Sequence, residues 1–293
     1  MHRAGIVLVS SLLFITPAVP RHAPAQGSRT VDLEAADCSR NHSIWTGYET
    51  AYAVKRVTVP ASGRLELRPP ANGGAKIERG SGRDYSITAC IAASGATTAE
   101  AQQRADEVQI TTAGRRVSAD GPSSGNWNVQ LIVQAPANVD ISVETTNGPI
   151  GIDGVSGRIE ARAANGPIGI DDASGEITAR AENGPISVRG RRGHFDVETS
   201  NGPISVDLSG SRWDGRLDAR AHNGPLHVRV PRDYQSGVEV SSSRHSPWSC
   251  RAEACRGRQL DDDPRTVRLG TGETAVTVST VNGPVTIEDG GNW

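Results

Sequence analysis

The clearest pattern in this chain is a strict alternation of apolar and polar residues that recurs through residues 139–230. In each 18-residue unit one half resembles Gly-Pro-Ile-Gly-Ile-Asp at 148–153, and the other resembles Gly-Arg-Ile-Glu-Ala-Arg-Ala at 157–163. Alternation with a period of two is typical of a β-strand that buries one face. The pattern therefore predicts two short strands in every unit, each with one face in a core.

A short phrase, Asn-Gly-Pro followed by an aliphatic residue, marks one junction between these strands and occurs six times. Four copies follow one another at an unbroken 18-residue interval, and two more stand further on. The copies are Asn147-Gly148-Pro149, Asn165-Gly166-Pro167, Asn183-Gly184-Pro185, Asn201-Gly202-Pro203, Asn223-Gly224-Pro225 and Asn282-Gly283-Pro284. A fixed short period indicates a stack of similar supersecondary units.

The proline in each phrase argues against a series of hairpins. Asn-Gly between two strands ordinarily predicts a two-residue hairpin, but the next residue must donate its N–H and proline has none. A second glycine recurs at Gly157, Gly175, Gly193 and, after an insertion containing Trp213, at Gly215. The chain should therefore turn twice per unit and climb. This predicts an all-β fold, a parallel β-solenoid (single-stranded β-helix) with coils of about 18 residues and two strands.

Stacked coils would place equivalent residues in columns. The predicted interior columns include Ile150, Ile168, Ile186, Ile204 and Leu226, and on the opposite wall Ile159, Ile177, Phe195 and Leu217. We expect the asparagine side chains to form a ladder of amide hydrogen bonds between coils. We also expect the glycine after each asparagine to use a positive φ.

The flanking regions predict ends for the stack. Thr97-Thr-Ala-Glu100 is a capping box, and a helix over 97–108 should cap the open end. Residues 57–293 are interpreted as one solenoid domain, whereas 26–56 show no clear pattern. Val238–Pro247 resembles a worn copy in which His245-Ser246 replaces Asn-Gly. An irregular excursion over 244–270 follows, and 275–289 should resume the stack as the final coil.

Residues 1–25 have the features of a signal peptide: Arg3, the apolar run Ile6–Ile15, and an Ala23-Pro24-Ala25 cleavage site. The run is too short to span a bilayer, and no later stretch predicts a transmembrane segment. We therefore expect an exported chain, whether periplasmic, on the cell surface or secreted.

Four cysteines in an exported chain favour disulfides over metal or redox chemistry. Sequence alone permits three pairings. Cys38 with Cys90 and Cys250 with Cys255 would close the smallest loops.

Composition and motifs give little support for chemistry. The formal charge of −2 gives no reason to expect a nucleic acid partner. The sequence contains no nucleophile elbow, zinc-binding HExxH, phosphate loop or dinucleotide fingerprint, so we expect no catalytic residue, cofactor or metal. Asp153, Asp171 and Asp172 should lie together on an outer face, where carboxylates could bind calcium or serve a carbohydrate-cleaving β-helix. Arg189 would occupy the next level and neutralise them.

The repeated phrases, the upstream Asn72-Gly73-Gly74, the helix at 97–108 and the strand at Trp127 together resemble the bacterial β-strand-repeat adhesin family of the DUF4097 type. The resemblance covers about residues 57–289. It implies an exported solenoid without established chemistry. The chain departs from it at His245-Ser246 and in the cysteine-bearing excursion.

Three classes of function remain open at this stage. The leading hypothesis is a non-enzymatic adhesin-like protein that binds a surface polymer or a protein partner. A carbohydrate-active β-helix, either a lyase or a hydrolase, is the second. The third is an envelope scaffold that works by self-association. The sequence does not identify the ligand.

Overall fold

The computed structural model describes residue 38 and residues 45–243, 246–255 and 266–290. The predicted signal peptide, His245 and the acidic run Asp261–Asp263 lie outside the described residues.

The fold consists of two eleven-stranded sheets that share one hydrophobic core. Sheet A contains, in spatial order, β1 (Glu49–Val59), β4 (Tyr85–Gly95), β7 (Trp127–Ala135), β3 (Gly74–Arg79), β9 (Ile150–Asp153), β11 (Ile168–Asp171), β13 (Ile186–Gly190), β15 (Ile204–Leu208), β17 (Leu226–Val230), β22 (Val285–Asp289) and β19 (Trp248–Cys250). Sheet B contains, in spatial order, β20 (Thr266–Leu269), β18 (Gly237–Ser242), β21 (Thr274–Asn282), β16 (Asp214–Asn223), β14 (Arg192–Asn201), β12 (Ser174–Asn183), β10 (Ser156–Ala163), β8 (Asn138–Thr145), β2 (Leu65–Arg68), β6 (Arg116–Asp120) and β5 (Gln109–Ala113).

The regular repeats form the predicted parallel solenoid. Ile168 stands in register with Ile150 on one side and Ile186 on the other, and Ile177 pairs with Ile159 and Phe195 in the same way. These inward residues are at most 2% exposed. Like side chains therefore stack on like, as the 18-residue period predicts, and the solenoid prediction is confirmed.

The asparagine ladder is present and is longer than the six phrases suggested. Each Nδ2 donates to the Oδ1 of the coil before it, over distances of 2.9–3.1 Å. The members in spatial order are Asn72, Asn147, Asn165, Asn183, Asn201, Asn223 and Asn282. Asn72 joins from a coil 75 residues upstream of Asn147, so the ladder starts one coil earlier than the regular repeats.

The expected positive φ of the phrase glycines is wrong. In the regular repeats the glycines of the second corner adopt a positive φ instead, at Gly157, Gly175, Gly193 and Gly215. In the phrase, a side chain is excluded by the neighbouring coil instead: a Cβ on Gly184 would lie 2.2 Å from the carbonyl oxygen of Gly166. Glycine is needed there because the corners of successive coils touch backbone to backbone.

The stacking order departs from the chain order at both ends. The coil of β2 and β3 lies between β8–β9 and β6–β7, although it precedes both in sequence. At the other end β21 and β22 stack directly on β16 and β17, and β18 and β19 lie beyond them. The prediction that 275–289 follows the worn copy in the stack is therefore wrong. The complete Asn282 phrase can extend the ladder, whereas the worn corner at Ser246-Pro247 ends it.

Three further expectations need correction. Strand β1 begins at Glu49, inside the 26–56 segment that showed no pattern. It pairs antiparallel with β4, which pairs antiparallel with β7, so the first strands are not solenoid coils. The 244–270 excursion is not wholly irregular, because β19 and β20 extend the two sheets.

The helix α1 (Thr98–Glu107) begins at the predicted capping box, except that the Glu100 carboxylate accepts from the residue before the cap and not from Thr97 itself. The Thr97 Oγ1 accepts from the Glu100 N–H at 3.2 Å, and the Glu100 carboxylate accepts from the Ala96 N–H at 2.8 Å. Ala101 and Ala105 are fully buried, and the helix packs on β4 and β1. The helix therefore covers the first strands of sheet A, at the end where sheet B, in the part of the chain that the structure describes, stops at β5.

Both predicted disulfides are formed. Cys38 pairs with Cys90 over a Cα–Cα distance of 5.2 Å, and Cys250 pairs with Cys255 over 6.2 Å. The first ties an upstream residue to β4, and the second closes a small loop after β19.

The position of an asparagine in the ladder should determine what its loss costs. Asn183→Ala removes two amide hydrogen bonds and should lower the free energy of unfolding by about 1–3 kcal/mol, with about half that loss for Asn282→Ala at the ladder's end. Denaturant melts measure both, and Glu182→Ala, on the adjacent exposed residue, is the control. Equal losses for the two asparagines would contradict this prediction, because the loss would then not depend on the number of ladder hydrogen bonds removed.

The two disulfides should differ in their contribution to stability. They span 52 and 5 residues, so loop closure predicts losses of about 4 and about 2 kcal/mol when each pair is replaced by alanines. Chemical denaturation of the two double variants tests the order. Alkylation of the denatured, non-reduced protein should find no free thiol, and a thiol signal from any of the four cysteines would contradict the pairing.

Candidate functional site

The outer faces of the two sheets differ in character. On sheet B, charged side chains are joined to one another across the coils: Arg180 binds Asp196 at 2.6 Å, and Arg220 reaches the same carboxylate at 3.4 Å. Partial burial alone would raise the pKa of Glu160, but hydrogen bonds and charge from Arg162 and Arg64 lower it. This face already satisfies most of its charges internally.

The outer face of sheet A carries a shallow groove of 430 Å³ instead. It crosses β7, β3, β9, β11 and β13, so it runs along the stacking axis for roughly 19 Å at the usual strand spacing. Its lining is mostly apolar and consists of residues on those five strands and their corners. The outward-facing or corner residues among them are Lys76, Gln130, Ile132, Pro149, Gly151, Pro167, Gly169, Pro185 and Ser187.

The floor of this groove is formed by two glycines that the fold does not require. A Cβ on Gly151 would meet only the Lys76 Cγ at 3.5 Å, and one on Gly169 would meet only the Ser187 Oγ at 3.6 Å, which are ordinary contacts. Neither residue has a positive φ. Glycine in a strand lowers stability and often marks a place where another molecule approaches the backbone closely. Packing within the fold therefore does not explain why Gly151 and Gly169, here called the bare floor, lack side chains.

One side of the groove and one of its ends differ in chemistry. Pro149, Pro167 and Pro185 are exposed and form an apolar ridge at the corners. At one end Ile132 and Lys76 stand side by side in register, and the Lys76 ammonium pairs with Glu78. A partner would therefore contact proline rings on one side, and at the end an isoleucine side chain beside the Lys76–Glu78 ion pair.

A charged column lies two residues further along each strand. Asp153 and Asp171 are in register, and Arg189 is in register with Asp171 at 3.4 Å between Nη1 and Oδ2, as predicted. Asp207 then lies between Arg189 and Arg229, at 3.8 and 3.7 Å. Asp172 is exposed and adopts a φ of 42°. Among the described residues, no three His, Cys, Asp or Glu side chains are grouped so as to hold a metal ion.

The predicted site residues therefore separate into two sets. The asparagines, glycines and prolines of the six phrases form the corner and the ladder, and three of the prolines also border the groove. Sequence reasoning missed Gln130, Lys76 and Ile132. Lys76 lies on β3, which stacks beside β9 only because the first coils are out of chain order, and Gln130 and Ile132 lie on β7, which stacks beside β3.

Comparisons with known proteins give a limited result. No protein-family model matches the chain, and no curated protein matches it. Among solved structures, a "putative cell adhesion protein" from Clostridium sporogenes shares 9% identity at a TM-score of 0.32, covering 82% of this chain and all of its own. A "putative adhesin" from Bacteroides fragilis shares 9% identity at a TM-score of 0.34, covering 82% of this chain and 97% of its own. Another "putative adhesin", from Parabacteroides merdae, shares 10% identity at a TM-score of 0.23, covering 81% of this chain and 95% of its own.

The described residues were also compared with the requirements for a membrane-spanning helix. Helix α1 has ten residues, and nothing helical in the described ranges has the length and apolar character that crossing a bilayer requires.

The two kinds of glycine should respond oppositely to a methyl group. Gly184→Ala forces a Cβ against the Gly166 carbonyl and should destabilise the protein by about 1–3 kcal/mol. Gly169→Ala has room and should be neutral or stabilising by up to about 1 kcal/mol, because alanine gives up less conformational freedom in a strand. Thermal melts of the Gly184→Ala and Gly169→Ala variants measure both changes in stability. A large loss for Gly169→Ala would mean that the fold, and not a partner, requires that glycine.

Proposed function

We propose that this chain is an exported, non-enzymatic β-solenoid of adhesin-like character, which binds a surface polymer or a protein partner in the groove on the outer face of sheet A. The observation that carries the proposal is the bare floor at Gly151 and Gly169. Side chains would fit there, yet the backbone is left open to a second molecule.

The rest of the repeat supports this assignment because its residues have structural tasks. The phrase asparagines bond to one another, the phrase glycines touch the next coil, and the inward aliphatics fill the core. The groove floor at Gly151 and Gly169 has no such task.

The shape of the groove favours an extended partner. It runs across five strands, with the proline ridge repeated on three successive coils and the glycine floor on two. A chain of repeating units could make the same contact on successive coils, so that individually weak contacts add up. The two disulfides support export, since such bonds persist in oxidising compartments.

Filling the groove should abolish binding without unfolding the protein. Gly169→Trp places an indole above the floor, and we expect at least a tenfold loss of affinity for any ligand found on an array of bacterial and host glycans or among purified envelope proteins. Thr178→Trp is the matched control, because Thr178 lies in the same coil on the outer face of sheet B. Both variants should keep the wild-type melting temperature.

Two results would contradict the proposal. Equal binding by wild type and Gly169→Trp would remove the groove from the contact. New reducing ends or unsaturated products from a polysaccharide panel, lost in Asp171→Asn, would replace the binding function with the carbohydrate-enzyme alternative.

A further inference from the structure

The last coil of the chain is inserted into the stack and not added at its end. Strands β21 and β22 lie between β16–β17 on one side and β18–β19 on the other. The space that they occupy, here called the slot, is therefore bounded by residues 214–230 on one side and by residues 237–243 and 246–250 on the other.

The slot binds the coil through backbone groups on both sides. On the inner side the Leu226 N–H donates to the Pro284 carbonyl at 2.8 Å, and the Gly224 N–H donates to the Asn282 carbonyl at 2.8 Å. On the outer side the Val285 N–H donates to the Pro247 carbonyl and the Arg251 N–H to the Ile287 carbonyl, each at 2.8 Å.

The inner wall of the slot is also specific for an Asn-Gly-Pro corner. The Asn282 Nδ2 donates to the Asn223 Oδ1 at 2.9 Å, and the Thr280 hydroxyl donates to the Gly224 carbonyl at 3.0 Å. A Cβ at Gly283 would lie 2.0 Å from that same carbonyl oxygen. The slot thus accepts a strand, an Asn-Gly corner and a second strand.

A tight turn leads into the slot. Strands β20 and β21 flank β18 on opposite sides, and residues 270–273, here called the hinge turn, cross over the start of β18 to join them. Gly270 has a φ of +76°, and a Cβ there would lie 2.1 Å from the Ser236 carbonyl oxygen. The Gly272 N–H donates to the Gln235 carbonyl, and the Gly237 N–H donates to the Glu273 carbonyl, both at 2.8 Å.

From this arrangement we infer that the slot of one molecule accepts residues 274–289 of a second copy, and that two copies exchange these coils reciprocally through the hinge turn. The exchanged coil makes the same contacts as its own would, so exchange changes little besides the hinge turn. Short, conformationally constrained hinges favour such exchange. The resulting dimer would carry two sheet A grooves, but the exchange does not depend on the groove binding anything.

A cross-link placed between the coil and the slot tests the exchange directly. His222 and Val281 are exposed and stand side by side, between the paired positions Ala221–Thr280 and Asn223–Asn282. The full exported chain carrying His222→Cys and Val281→Cys would be refolded at high protein concentration, oxidised, and separated by size. Under exchange, the dimer fraction runs as a covalent dimer on a denaturing gel without reductant, and the monomer fraction runs as a monomer.

The matched control is Glu182→Cys with Ser200→Cys. These exposed residues are neighbours in the same way, between Ala181–Thr199 and Asn183–Asn201, but their coils are consecutive in the chain. They should cross-link within one chain in every fraction. A dimer of the first variant that separates into cross-linked monomers would overturn the proposal, as would the absence of dimer over the whole concentration range.

A second measurement does not depend on new cysteines. Light scattering should show a concentration-dependent dimer for the wild-type chain after refolding. Inserting Gly-Ser-Gly after Gly272 relaxes the hinge turn, and it should reduce the dimer fraction severalfold while leaving the monomer folded. A dimer fraction unchanged by this insertion would also refute exchange through the hinge turn.

Discussion

The whole stack depends on how closely the backbones of successive coils approach at the Asn-Gly-Pro corners. There the carbonyl oxygen of one glycine lies where the Cβ of the next would be, at 2.2 Å for Gly184 and 2.0 Å for Gly224. This contact fixes the spacing of the coils and brings the asparagine amides within hydrogen-bond distance of one another. Because a single methyl group would disturb it, the phrase tolerates little change, and the inward columns follow its register.

The same constraint separates the corner glycines from the glycines of the groove. From the sequence alone, every glycine of a glycine-rich repeat could be assigned to a turn. The space around each position divides them instead: the corner glycines have no room for a side chain, whereas Gly151 and Gly169 have it and lack one. The groove is distinguished by two glycines that packing does not require. On the same coils, the outer face of sheet B instead carries side chains that form ion pairs with one another.

Sequence reasoning predicted the structure correctly where it depends on short segments or on consecutive repeats. The 18-residue period gave the columns through Ile168 and Ile177, and a capping box located α1. It failed where distant segments meet. Nothing in the local pattern indicates that β3 lies beside β9, or that β21 enters between β16 and β18, since those choices are made by tertiary pairing. For this reason the regular core was predicted, but one end of the groove was not.

The inserted last coil has a mechanical consequence. Strand β22, which ends at Asp289, is hydrogen-bonded to β17 on one edge and to β19 on the other. Tension applied at that end must therefore break two ladders in parallel, whereas an ordinary terminal strand would peel away from one.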